Sequence, residues 1–239
     1  METAVEIVVG LVESNRASPG GAAARKGGRD RGLVATLNPE MVMTARRDPS
    51  FLDLLRQAAL VIPDGVGVVR ALRRRGYGSV GRVAGVDLLD VYFPRAAARR
   101  HRIALAGAAP GVAVEASRRL VQRFPGLRIV TADCGGPSKE TAARLAKWRP
   151  DVVCAAYGAG PQERFLHQHL DAMGASVGIG VGGTLDFIAG ASRRAPAWLR
   201  EAGLEWAWRL AWEPWRARRQ LVLPAFWWHE RKEAARGGG

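Results

Sequence analysis

Short apolar, β-rich runs alternate with helix-like stretches along most of this chain, from residue 33 to residue 180. Alternation of strands and helices predicts a mainly parallel sheet covered by helices on both faces. The runs that we interpret as strands are Val5–Val12, Leu33–Thr36, Leu60–Ile62, Arg102–Ala106, Leu127–Thr131, Val152–Tyr157 and Ser176–Gly180. The sequence therefore predicts a Rossmann-like α/β fold in which ligands bind beyond the carboxyl ends of the strands.

The two ends of the chain differ from this central pattern. Residues 14–32 are rich in Gly, Ala and Arg and lack periodicity, which is typical of a mobile loop. Residues 193–239 hold seven of the eight tryptophans, and their ten Lys/Arg against five Glu give a local net charge of +5. We accordingly divide the chain into an α/β domain, 1–192, and a helical C-terminal appendage, 193–239.

Tryptophans mixed with arginines in the appendage are open to two interpretations. Leu204, Trp208, Trp212 and Trp215 fall at near-helical spacing and would form one apolar stripe. Such a stripe can pack on a protein core, or it can lie at the boundary between lipid headgroups and acyl chains. Spacing alone supports both.

The net charge of +14 indicates an anionic partner: a nucleic acid, an acidic membrane or a phosphorylated substrate. A nucleic acid is disfavoured because the aromatic residues concentrate at one end and no recognition motif is present. The N-terminus lacks the basic region of a secretory signal, and no apolar run approaches the ~20 residues needed to cross a bilayer. Cys134 and Cys154 lack the spacing of a metal site, which fits a reducing cytoplasm.

Several loops that follow strands carry polar residues or glycines. Asp64 lies in a Pro-Asp-Gly turn, where its default role is structural, but a carboxylate partly removed from water at this edge could accept a proton. Asn38 could cap the helix that Pro39 opens, and the turn Gly107–Gly111 would let a phosphate approach a helix start. The chain contains no Asp-x-Asp, the commonest acidic anchor for a metal–nucleotide complex.

Taken together, these motifs resemble the WecG/TagA/CpsF family of bacterial glycosyltransferases. The resemblance rests on Thr36-Leu-Asn38-Pro39, Pro63-Asp64-Gly65-Val-Gly67, Arg82-Val-Ala-Gly85-Val-Asp87, Gly107 to Gly111, Gln162-Glu163, Gly180-Val-Gly182-Gly183 with Asp186, Arg194-Ala195-Pro196 with Trp198, Gly203-Leu204-Glu205-Trp206, Arg209-Leu210, and Glu213-Pro214 with Arg216 and Arg219. It covers residues 33–220. One departure is Gly158-Ala-Gly-Pro161-Gln162-Glu163, where the family usually has Gly-x-Pro-Lys-Gln-Glu.

The resemblance implies an inverting transfer of a sugar, typically N-acetylmannosamine, from a UDP donor. The acceptor would be a polyprenyl-diphosphate-linked N-acetylglucosamine at the cytoplasmic face of the membrane, in cell-wall, teichoic-acid or exopolysaccharide synthesis. By position Asp64 would be the general base, and no metal or other cofactor is expected. The substrate-binding residues implied are Thr36, Asn38, Arg82, Gln162, Gly107, Gly111 and Asp186, and the diphosphate-binding residues are Arg209, Arg216 and Arg219.

Three alternatives stay open at this point. The chain could use another UDP-sugar, such as glucose or glucuronic acid, because a few pocket contacts decide the sugar. It could be a basic nucleic-acid-binding protein, or a peripheral membrane protein whose site is inactive. The sequence indicates no oligomeric state.

Overall fold

A computed structural model of the chain describes residues 1–17, 31–213 and 221–236. Its elements, in order, are α1 Glu2–Ala17, β1 Arg31–Leu37, α2 Pro39–Arg47, α3 Pro49–Arg56, β2 Ala58–Pro63, α4 Val66–Arg74, α5 Gly85–Ala98, β3 Arg102–Gly107, α6 Val112–Arg123, β4 Arg128–Asp133, α7 Lys139–Ala146, β5 Val152–Ala156, α8 Pro161–His169, β6 Val177–Gly180, α9 Thr184–Ala189, α10 Ala197–Glu201, α11 Glu205–Trp212 and α12 Val222–Arg236. The predicted α/β alternation is confirmed.

All six strands form one parallel sheet in the order β2-β1-β6-β5-β3-β4. The chain runs from β1 to the edge strand β2 and then crosses to build the other half of the sheet, so β1 and β6 meet where the two halves join. Thr36 of β1 pairs with Ile62 of β2, and Ala35 pairs with Gly180 of β6. The ends of three strands therefore meet at one edge, where open parallel sheets bind ligands.

Two apolar cores cover the two faces of the sheet, which confirms the prediction of helices on both faces. One core combines valines of α1 with α5, α6 and α9, and its largest buried side chains include Tyr92 and Phe93. The other core combines α2, α3, α7 and α8, and includes Phe51 and Phe165. With both faces covered, the central strands β5 and β6 are apolar and buried at every position, as parallel strands usually are.

The prediction of a first strand at Val5–Val12 is wrong, because these residues lie within helix α1. Its buried residues are Val5, Val8, Val9 and Val12, which are spaced three and four apart and so share one helical face. That face packs against α5 and the sheet. The many β-branched residues favoured a strand, but burial of one helical face outweighs that local preference.

The predicted mobile loop at 14–32 is only partly within the described residues. Residues 14–17 complete α1, residues 31–32 begin β1, and the rest of the stretch lies outside the described residues. Asp87, from the Arg82–Asp87 motif, lies in the first turn of α5, because this helix begins at Gly85.

The described part of the C-terminal segment is helical and contacts the α/β body. Phe226 of α12 is fully buried in a small third core with Met43 of α2 and Val68 of α4. Arg75 forms an ion pair with Glu230 at 2.6 Å, which holds the same helix from its polar side. Among the helices that the structure describes, none is long and apolar enough to cross a membrane.

Candidate active site

A cavity of about 540 Å³ opens at the carboxyl ends of β1, β2 and β6. The predicted site residues that line it are Thr36, Asn38, Asp64, Arg82, Gln162 and Arg209. These six come from five separate parts of the chain. The parallel sheet brings Thr36, Asn38 and Asp64 together, because the neighbouring strands β1 and β2 end at the same edge. The C-terminal segment supplies the wall on the other side.

Thr36 and Asn38 are fixed by hydrogen bonds at the end of β1. Thr36 is buried, and its hydroxyl donates to the carbonyl of Gly180 on the neighbouring strand at 2.9 Å. The Asn38 side chain accepts a hydrogen bond from the Met41 N–H at 3.0 Å and so caps α2, whose first residue is Pro39. The predicted cap is thus confirmed, and it fixes the orientation of the Asn38 amide at the cavity rim.

Gln162 reaches the cavity from the first turn of α8, where it is almost fully buried. Its Oε1 accepts from the Gly182 N–H at 3.0 Å, and its Nε2 donates to Glu163 at 2.7 Å. A Cβ atom on Gly180 would lie only 2.5 Å from Glu163 Oε1, so this strand position has room only for glycine. Burial raises the pKa of Glu163 above its usual range.

Asp64 follows the last residue of β2, and its N–H donates to the carbonyl of Leu37 at 2.9 Å. Solvent reaches 29% of its side chain, through the cavity. Loss of water around the carboxyl group raises the pKa of Asp64 from 3.8 to about 6. The charges of Glu205 and Asp87 raise this pKa further, whereas Arg82 and Arg209 oppose the rise. The carboxyl group can therefore take up a proton near neutral pH.

Arg82 connects the α/β body to the C-terminal segment. Its Nε donates to the Asp64 carbonyl oxygen at 2.7 Å and lies 3.8 Å from the Asp64 carboxylate. Its Nη2 donates to Glu205 at 2.6 Å, in the first turn of α11. One guanidinium thus holds both the turn that carries Asp64 and the helix that carries Arg209.

Arg209 lies in the wall that residues 202–204, α11 and α12 contribute to the cavity. Its guanidinium carbon stands 4.9 Å from the ring centroid of Phe187, and its Nη2 lies 3.8 Å from Glu213 one helical turn later. Val222 and Trp227 of α12 also line the cavity. The Phe187 ring and the Glu213 carboxylate both favour a fixed position for the Arg209 charge.

Three of the remaining predicted site residues lie in the described part of the chain but do not line the cavity. Gly107 ends β3 and Gly111 precedes α6, both with positive φ, and neither lines the cavity. They are set apart because β5 and β6 lie between β3 and β1 in the sheet. Asp186 lies in α9, where Thr184 and Phe187 face the cavity and Asp186 does not line it. Arg216 and Arg219 lie outside the described residues.

Two contributions to the site were not predicted from the sequence. Glu205 was named only as part of the Gly203–Trp206 motif and was given no role, yet it is the partner of Arg82. Nothing in the sequence links two residues 123 positions apart. Val222 and Trp227 were likewise not expected to line the cavity. The sign of such a role in the sequence was their apolar character within a strongly basic chain.

Metal-ligating side chains do not cluster in the described residues. No group of three or more His, Cys, Asp or Glu there is arranged to hold a metal ion. The guanidinium groups of Arg82 and Arg209 are positive groups whose charges lower the pKa of Asp64.

Comparison with known proteins connects this geometry to one family. The model of the Glycosyl transferase WecG/TagA/CpsF family matches residues 18–238. A protein of Bacillus subtilis strain 168 is 32% identical over 196 residues, 81% of this chain and 77% of the relative, and one of Bacillus spizizenii strain W23 is 34% identical over 81% and 76%. A Staphylococcus aureus strain MW2 protein is 30% identical over 198 residues, 81% of this chain and 77% of the relative. All three are named N-acetylglucosaminyldiphosphoundecaprenol N-acetyl-beta-D-mannosaminyltransferase. The chain belongs to the WecG/TagA/CpsF family of glycosyltransferases.

Proposed function

We propose that this glycosyltransferase moves N-acetylmannosamine from a UDP donor to a polyprenyl-diphosphate-linked N-acetylglucosamine. The names of the relatives support this choice of sugar and acceptor. The observation that carries the proposal is the meeting of Asp64, Arg82 and Arg209 in one cavity at the strand ends. A proton acceptor and two guanidinium groups are what a transfer from a nucleotide diphosphate requires.

In the proposed reaction Asp64 acts as the general base. A hydroxyl group of the acceptor sugar attacks the anomeric carbon of the donor from the side opposite UDP. The new C–O bond forms as the bond to the UDP oxygen breaks, and the hydroxyl proton passes to the Asp64 carboxylate. The configuration at the anomeric carbon is inverted. A carboxyl pKa of about 6 leaves Asp64 ionised at pH 7 while keeping it more basic than an exposed aspartate.

Arg82 and Arg209 would stabilise the negative charge that develops on the departing UDP. Guanidinium groups bind phosphate oxygens through paired, charge-assisted hydrogen bonds, and a partly buried site strengthens them. We propose that these arginines take the place that a metal ion has in other nucleotide-sugar enzymes. Thr36, Asn38 and Gln162, each fixed by a hydrogen bond, would position the sugars.

The C-terminal segment would hold the site at the inner surface of the plasma membrane. Trp198, Trp212 and Trp228 expose 65%, 54% and 57% of their surface, and arginines are close to each in sequence. Exposed tryptophans and arginines favour the headgroup region of a bilayer, where the lipid acceptor resides. We therefore propose peripheral attachment through this segment.

The test is UDP release from the purified chain with a short-chain lipid-diphosphate-N-acetylglucosamine in detergent. UDP-N-acetylmannosamine, UDP-glucose and UDP-glucuronic acid are compared as donors, each with and without acceptor and EDTA. We expect acceptor-dependent release with UDP-N-acetylmannosamine and an unchanged rate in EDTA. Preference for another donor would contradict the sugar assignment, and loss of activity in EDTA would contradict the role of the arginines.

A further inference from the structure

A second cavity, of about 440 Å³, lies beside the first between α4 and α10. Arg70 of α4 and Arg82 line both cavities, so the two are adjacent. The second cavity is also lined by Arg73 of α4 and Arg200 of α10. Apart from Arg82, none of these arginines belongs to the motifs from which the family resemblance was drawn.

The lining of this second cavity carries more positive than negative charge. Its acidic residues are Asp87 and Glu201, and Asp87 is already paired with Arg194 at 2.6 Å. Arg82 is paired with Glu205. The lining then leaves three arginines, Arg70, Arg73 and Arg200, against one further carboxylate, Glu201.

The positions of Arg70 and Arg73 allow both to present positive charge to the second cavity. Arg70 and Arg73 are three residues apart on α4 and so lie on one face. Arg73 is held in place because its Nε and Nη2 both donate to the carbonyl of Val80, at 3.1 and 3.0 Å. This bonding leaves its other terminal nitrogen able to donate elsewhere.

Arg200 carries a buried nitrogen whose hydrogen-bonding capacity is not used within the described residues. Its Nε is buried and has no hydrogen-bond partner among the described residues. A buried donor without an acceptor is costly, and nearly all such groups in folded proteins are satisfied by protein, water or ligand. An anion bound by the terminal nitrogens of Arg200 in the second cavity would offset part of this cost.

The chemistry of the proposed reaction indicates which anion this is. The acceptor carries its diphosphate on the same single sugar ring whose hydroxyl must reach Asp64. The diphosphate must therefore lie within about one ring of the base, and Arg82, which contacts Asp64, separates the two cavities. We propose that Arg70, Arg73 and Arg200 bind the diphosphate of the lipid-linked acceptor in the second cavity, while the donor occupies the first. This assignment rests on the proposed function.

The surroundings of the second cavity suit a lipid ligand. Trp198 lies on α10 two residues before Arg200 and exposes 65% of its surface. An exposed tryptophan beside a phosphate site places that site at headgroup depth. The polyprenyl chain would leave the cavity past α10 towards the bilayer.

The decisive variant is Arg200→Gln, assayed with the short-chain acceptor in detergent so that no membrane surface takes part. We expect the KM for the acceptor to rise about ten- to a hundredfold, since a charge-assisted hydrogen bond to a phosphate is lost. The KM for the donor and kcat should stay within about twofold, and Arg200→Lys should recover part of the loss. Arg74→Gln is the matched control, because Arg74 is exposed on the same helix α4 and lines neither cavity.

An unchanged acceptor KM in Arg200→Gln, or a raised donor KM instead, would overturn the assignment. Calorimetric titration of the acceptor alone into parent and variant separates this proposal from the proposed function, because binding needs no transfer. Weaker acceptor binding by the variant supports the second cavity even if the donor sugar is misassigned. Equal binding by both proteins refutes it even if transfer is observed.

The same variant distinguishes the acceptor from ordinary membrane lipid. Sedimentation with vesicles of phosphatidylglycerol and phosphatidylcholine should capture parent and Arg200→Gln almost equally, since Arg200 is one partly buried charge among the many positive charges of the chain. A variant that loses vesicle binding but keeps its acceptor KM would show that the second cavity binds lipid headgroups, against the proposal.

Discussion

Replacing Asp64 by Asn should make the protein more stable at neutral pH, and the gain should depend on pH. In the unfolded chain the carboxyl group titrates near 3.8, whereas in the folded protein its pKa is about 6. Between these values the folded state binds more protons than the unfolded state, so the free energy of unfolding falls as pH rises. Above pH 6 the folded protein bears the full cost of an ionised, poorly hydrated carboxylate.

The size of this effect follows from the shift of about two pKa units. At about 1.36 kcal/mol per unit, ionised Asp64 costs up to about 3 kcal/mol at pH 8. Solvent reaches 29% of the side chain, which makes this figure an upper limit. The side chain introduced by Asp64→Asn has nearly the same shape and no charge to desolvate. The variant should therefore recover about 1–3 kcal/mol at pH 8 and almost nothing near pH 4.

Urea unfolding of parent and variant at pH 4, 5, 6, 7 and 8 measures the difference directly, provided the slopes agree. Asp53→Asn is the control, because Asp53 is 62% exposed and should change stability by less than about 0.5 kcal/mol at every pH. A variant no more stable than the parent at pH 8, or a gain of equal size at pH 4, would refute the account of a carboxylate deprived of water.

Three further perturbations test other parts of the structure. Arg82→Gln removes a positive charge that lowers the pKa of Asp64, so the acidic limb of the pH–rate profile should move to higher pH. Loss of the same charge from the departing UDP should reduce kcat about a hundredfold. An acidic limb at the same pH as in the parent would contradict this. Phe226→Ala removes the largest buried side chain from the small third core, at a cost of about 3 kcal/mol of packing free energy. Proteolysis of the C-terminal segment should therefore become faster, while thermal unfolding of the sheet changes little. Cleavage at the parent rate would argue against docking through Phe226. Gly180→Ala forces a Cβ to within 2.5 Å of Glu163, so we expect the melting temperature to fall by several degrees, at a cost of about 1–3 kcal/mol; an unchanged melting temperature would show that the contact is not tight.

Local patterns in the sequence were sufficient to predict most of the α/β body. The apolar runs that form β1 to β6 are short and bounded by turn residues, and the helices between them keep a regular apolar spacing. Helix α1 was predicted wrongly because its residues Val5 to Val12 are mostly β-branched or apolar, and only the partner surface shows which of them are buried. Tertiary packing, rather than local propensity, determines whether such a segment forms a helix or a strand.

The candidate site was predictable where parallel strands end and much less so elsewhere. Thr36, Asp64 and Gln162 each lie at or just after the end of a strand, and the sheet must bring such residues to one edge. The family resemblance also suggested Gly107 and Gly111, which the strand order places away from this cavity. Strand order cannot be read directly from a sequence, because it depends on crossover connections between distant segments.

Apart from Arg209, which the family resemblance implied, the contacts of the C-terminal segment with the site could not be predicted from the sequence. The Arg82–Glu205 pair joins two part-buried residues that are far apart in the chain, and no local pattern in the sequence links them. The same holds for Arg200, whose unsatisfied buried nitrogen becomes visible only when α10 is placed beside α4.

The pH dependence of kcat/KM tests the central claim most directly, namely that Asp64 removes the proton from the acceptor. Transfer from UDP-N-acetylmannosamine to the short-chain acceptor is measured from pH 5 to pH 9 for the parent and for Asp64→Asn. We predict that kcat/KM of the parent rises through an apparent pKa of about 6, and that the variant loses about a hundred- to ten-thousandfold in kcat together with this acidic limb. A variant that keeps both the parent rate and the limb near pH 6 would contradict the claim.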